Sequence, residues 1–166
     1  MKTIDLNSII GAVPEKAGNL SETIGKGLMA GFIGTGIMTL AQLIEMKFTK
    51  RESSDIPVKA VEEVAGVEIA EEGNSKLNNA IHFLYGTGWG KVRAILASLG
   101  LKWWQSSLLH FGLVWSVAAI MLPKMKLVPP VKEWGAKSIT IDILHHLIYA
   151  ASVGFVYDKL SEGAKC

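Results

Sequence analysis

Three stretches of this chain stay apolar for the length of a membrane-crossing helix, and this limits its fold more than any other feature. Gly27–Ile44 and Trp103–Pro123 contain no Asp, Glu, Lys or Arg, and Ile139–Tyr157 contains only Asp142. A hydrocarbon layer of about 30 Å is crossed by ~20 helical residues. Soluble helices of that length show a polar face, and Leu108–Leu122 shows almost none. A fourth run, Leu77–Gly90, continues past Lys91 and Arg93 to Leu101. The expected fold class is all-α: a four-helix transmembrane bundle of two pseudo-two-fold-related helix pairs. Its spans fall at about 27–46, 77–99, 103–123 and 139–157 of a membrane domain covering 26–158. Residues 1–25 read as an N-terminal amphipathic segment and 159–166 as a tail.

Composition agrees with a membrane protein. Charged residues make up 19% of the 166, below the usual quarter or so, and mean hydropathy is +0.32. A net charge of +2, with lysines scattered, gives no basic face for nucleic acid. The single cysteine, Cys166, excludes an intramolecular disulfide and a cysteine metal cage. Met1–Val13 carries Asp5 and Asn7, and its apolar runs are too short for a signal peptide. Targeting is therefore expected from the first spanning helix.

The connections carry local signals. Asn19 with Glu22 resembles a capping pair opening the first helix. Ser53-Ser54-Asp55 and Pro57 open a short helix, Val58–Val64, that stops near Gly66. Its Val58, Val61 and Val64 or Ala65 share a face, as in a helix lying at the interface. Pro123 ends the third span, and Pro129-Pro130 keeps the chain extended before the fourth. Small residues four apart let membrane helices approach closely, and Gly27, Gly31 and Thr35, with Ala30 and Gly34 beside them, have that spacing.

A motif occurs twice, 64 residues apart: Asn78-x-x-x-His82-x-x-Tyr85-Gly86-x-x-x-Gly90 and Asp142-x-x-x-His146-x-x-Tyr149-Ala150-x-x-x-Gly154. Each copy forms one helical stripe, expected to face the bundle interior. An even number of helices separates the copies, so both should lie at equal depth, with helix contact at Gly86/Gly90 and Ala150/Gly154. The same offset aligns Lys91 and Arg93 with Phe155 and Tyr157, beside Asp158. Both basic residues should then sit near an interface, snorkelling or pairing with Asp158. Glu45, Asn78, His82, Asp142, His145 and His146 are expected to gather in one leaflet, with Tyr85 and Tyr149 below them and His110 apart in the other leaflet.

Four uses of that cluster are open. Buried histidines and tyrosines often serve only to cross-link helices, at about 0.6 kcal/mol per bond. Intramembrane ionisable groups also mark proton or ion handling, and histidine titrates near pH 6.5. Bis-histidine ligation of a b-type haem by His82 and His146 would suit their depth, although small residues nearby argue for close helix contact. A divalent metal held by Glu45, His82, Asp142 and His146 is the last. The expected resident cofactor is none, and no metal ligand set is assigned.

Enzyme signatures are absent: there is no Gly-x-Ser-x-Gly elbow, P-loop or Cys/His nucleophile pair. The expectation is a non-enzyme whose partner is the lipid bilayer, and which would need homo-oligomers or partner membrane subunits to build a transport path. The glycine-rich first span, His82-Phe-Leu-Tyr85-Gly86, Leu122-Pro123 with Pro129-Pro130, and His146-Leu-Ile-Tyr149 resemble the YagU-like family of small bacterial inner-membrane proteins. The resemblance spans Gly27–Tyr157. It implies a multi-pass inner-membrane location, a link to acid tolerance and no defined biochemical activity.

Overall fold

The computed structural model describes residues 6–69 and 74–163; for 6–19 and 74 only the backbone path is described. The readings made on Met1–Asp5 and on Cys166 fall outside these residues. The described chain is all-helical, with α1 at Leu6–Thr49, α2 at Ile56–Ala65, α3 at Asn74–Ser98, α4 at Trp103–Lys124 and α5 at Ala136–Glu162. A 3-10 turn, Val131–Glu133, follows Pro129-Pro130.

The helix ends follow local chemistry. Pro57 sits in the first turn of α2, where a missing N–H costs nothing, and Gly66 closes the helix with φ of 66°. Gln105 accepts a 2.9 Å hydrogen bond from the Lys102 amide at the start of α4, and Pro123 lies in that helix's last turn. One boundary differs from expectation. α1 does not open at Asn19 but runs unbroken through it, and Glu22 pairs with Lys26 one turn on, at 2.6 Å. An i,i+4 ion pair extends a helix as readily as a capping residue would begin one.

Among the described residues three helical segments are long and apolar enough to cross a membrane: Leu20–Thr49, Trp103–Lys124 and Ala136–Glu162. The expected fourth, α3, has the length at 25 residues but carries Lys76, Lys91 and Arg93. Large apolar side chains face outward around the described helices. Leu84 is 74% exposed and Phe155 65%, with Leu40, Leu43 and Leu108 similarly bare. Patches of this kind mark a membrane or protein partner rather than a water-facing surface.

α1 packs against both α3 and α5, and α4 packs against α5 and α3. The α1–α3 contact is built from small residues. A Cβ on Gly31 would lie 2.7 Å from the Thr87 carbonyl oxygen, and one on Gly27 would lie 2.7 Å from that of Gly90. This corrects the expected pairing of the repeats. The Cβ positions of Gly86 and Gly90 face Thr35, Gly27 and Gly31 of α1, while the Gly86 carbonyl reaches α5 through Tyr149. On α5, Gly154 meets Ser107 of α4, while Gly34 of α1 meets Val153. Ala150 is buried beside Tyr149. α1 thus takes up the small faces expected to join α3 to α5, because a stripe of glycines accepts any close helix and α1 offers a matching one.

Candidate functional site

α1 ends, α3 begins, α4 ends and α5 begins at the same end of the molecule, and most of the ionisable cluster lies there. Asp142, in the second turn of α5, is tied by both backbone and side chain. Its Oδ2 accepts a 2.8 Å bond from Trp115 Nε1 of α4. Its carbonyl oxygen accepts a 2.8 Å bond from His146 Nδ1, and Oδ1 lies 3.6 Å from that nitrogen. A carbonyl only accepts, so Nδ1 of His146 carries the hydrogen and Nε2 is the position open to a proton. His82 on α3 is close enough for its charge to interact with that of His146.

His145, next in sequence, points elsewhere. It is buried and interacts electrostatically with Glu45 and Arg51 of the α1 end, and with Asp142. Glu45 is itself fully engaged. Arg51 folds back over the helix end to give its Oε2 bonds of 2.9 and 3.2 Å, and Thr49 gives Oε1 one of 2.7 Å. Arg51 and Trp115 are partners that the spacing pattern did not reveal. Both lie outside the motif: Trp115 reaches Asp142 only through helix packing, whereas Arg51, six residues from Glu45, reaches it by the local fold-back of the chain.

Asn78 stands outside this cluster. Its Oδ1 accepts from the Val58 amide at 3.1 Å and its Nδ2 donates to the Ser54 carbonyl at 2.7 Å. It caps α2 from a different helix and has no free polar atom to offer a proton. The two tyrosines also part company. Tyr149 is 2% exposed and donates its hydroxyl to the Gly86 carbonyl, whereas Tyr85 is 49% exposed with its ring edge against Trp89. The stripe of α3 therefore does not face inward along its whole length. Gly86 is buried against α1, and this rotates Tyr85, one position earlier, outward.

His110 does not stand apart. It is fully buried, its ring lies 5.5 Å from that of Tyr149, and its Nε2 donates to the Trp89 carbonyl at 3.2 Å. It thereby links Tyr149, one turn from His146, to the opposite half of the molecule. Arg93 is there, bonded to Asp158 at 2.9 Å and lying over the Tyr157 ring.

Among the described residues no three of His, Cys, Asp and Glu come together to hold a metal ion. Glu45, committed to Arg51, and Asp142, committed to Trp115, are not one ligand set with the histidines. A haem between His82 and His146 meets a steric objection, since Tyr149 and Gly86 join the two helices directly one turn away. No family model, curated protein or solved structure matches the chain.

Proposed function

We propose that this protein is a small multi-pass inner-membrane protein of YagU-like type, without enzymatic activity, in which the His82/His146 pair takes up and releases protons under acid conditions. In this reading four helices cross the bilayer, α3 included, its buried charge tolerated through the Arg93–Asp158 pair. Contacts near the 64-residue offset support the two-pair arrangement. His82 interacts with His146, Arg93 with Tyr157, and Tyr149 with Gly86.

The observation that carries the reading is the fixed tautomer of His146. With Nδ1 held by the Asp142 carbonyl, Nε2 is the nitrogen left to accept a proton, and the Asp142 carboxylate supplies the counter-charge.

NMR of ring-labelled histidines tests this directly. Shifts of His82 and His146 should move between about pH 5 and 8; flat shifts would sink the proposal. Replacing both with Gln separates the alternative. Folding retained with acid survival of cells lost supports proton uptake. Lost thermal stability with unchanged acid survival supports a structural or accessory subunit, a reading favoured by the Trp115–Asp142 and Tyr149–Gly86 cross-links.

A further inference from the structure

The end of the molecule opposite the histidines holds a second polar site. Arg93 is 1% exposed, and its Nη2 bonds Asp158 Oδ1 at 2.9 Å, yet its Nε and Nη1 are buried without a hydrogen-bond partner. Unmatched buried donors cost about 1–3 kcal/mol each, more on a charged group, so an acceptor brought to them would be stabilising. Arg93 lines a cavity of about 330 Å³ to which all four long helices contribute. Thr23 comes from α1, Ser98 from α3, Trp103 from α4, and Asp158 and Ser161 from α5.

The walls are polarised. Arg93 only donates. Ser98 and Ser161 spend their hydroxyl hydrogens on the carbonyls of Ile95 and Tyr157, at 2.7 and 2.8 Å, so toward the cavity they can only accept. Asp158 is an acceptor with a half-open carboxylate. Arg93 and Asp158 together are neutral, and a bare anion would gain from one and be repelled by the other. A ligand with an anion and an ammonium a few ångströms apart meets both. Trp103 and Leu101 complete the rim with apolar surface, at the level where tryptophans meet lipid headgroups.

We propose that this cavity binds a phosphoethanolamine group, its phosphate on Arg93 and its ammonium on Asp158, Ser98 and Ser161. Arginine suits phosphate because its planar fork matches the tetrahedral oxygens. The group is available either as the headgroup of a membrane lipid or as a free phosphomonoester. Only the lipid source rests on the membrane reading above.

The test uses full-length protein in detergent, stripped of lipid, with Tm and binding measured on adding phosphatidylethanolamine, phosphatidylglycerol or soluble O-phosphoethanolamine. The expected result is a higher Tm with phosphatidylethanolamine and about tenfold weaker binding of phosphatidylglycerol, the scale of one charge-assisted hydrogen bond. A response to O-phosphoethanolamine as well supports a soluble source, and a response to the lipid alone supports a headgroup. Asp158→Asn should abolish the preference between the two lipids. Ser98→Trp, introduced at an exposed position, should fill the cavity and abolish the response while leaving the unliganded Tm in place. Equal responses to both lipids in the native protein, or a preference that survives both substitutions, overturns the proposal.

Discussion

Gly90 and Gly88 lie two residues apart on α3 and are expected to respond oppositely to the same change. A Cβ at Gly90 would run into the Gly27 carbonyl oxygen and come within 2.8 Å of the Gly31 amide, both backbone atoms that cannot swing away. Nothing lies within 4 Å of the Cβ position on Gly88. Gly90→Ala should therefore cost about 1–3 kcal/mol, the usual range for overpacking. Gly88→Ala should be neutral or slightly stabilising, because alanine restricts the unfolded chain. Thermal unfolding in detergent compares them; equal losses would show that α1 and α3 do not meet through this stripe. Trp115→Phe removes one indole N–H and leaves Asp142 Oδ2 short of a donor. The expected loss is about 0.6 kcal/mol or somewhat more. Unchanged stability would mean that the α4–α5 cross-link contributes nothing.

Elements add constraints that no single residue shows. α2 is too short to be stable alone and depends on its attachments. Val58 is buried, Asn78 of α3 caps the first turn, and Lys59 pairs with Asp55 at 2.7 Å. Asn78→Ala should cost about 1 kcal/mol as a lost cap. It should speed hydrogen exchange across Ile56–Ala65 while sparing α4; exchange unaltered in α2 would refute this. The hydrogen bond from Lys59 holds the Asp55 carboxyl below its ordinary range. A depressed carboxyl stabilises the fold above its unfolded value and loses that contribution as pH falls through the folded one. Protection of the α2 amides, relative to their intrinsic exchange rate at each pH, should therefore fall below about pH 4, the ordinary aspartate range, with Asp55→Asn removing the step. Helix identities and the Gly66 stop were legible locally, because proline and glycine act on their own turn. The start of α1 was not, since the residues around Asn19 favour capping and helix continuation alike.

At the scale of the molecule, α3 is expected to cross the bilayer alongside α1, α4 and α5, the three helices suited to do so by length and hydropathy. Single cysteines introduced into a Cys166→Ser background decide it in sealed vesicles. Ser53 and Lys137 replacements should label from one side and a Gly100 replacement from the other. Labelling of Gly100 and Ser53 from the same side would leave α3 out of the membrane. The two polar sites lie at opposite ends, with His110 and Tyr149 between them, so substitutions at one should leave the readout of the other unchanged.

The sequence alone determined that the chain is helical and apolar enough for membranes, because hydropathy over ~20 residues is a local sum. Its repeat offset brought Lys91 and Arg93 level with the residues beside Asp158 but left snorkelling and pairing both open; the pairing of Arg93 came from the packing. Partners across helices were decided only by tertiary structure. Which stripe of glycines α1 would cover, whether Tyr85 or Tyr149 would turn inward, and which donor would reach Asp142 all depend on helix rotation. Rotation is set by the joint packing of four helices, and no one segment encodes it.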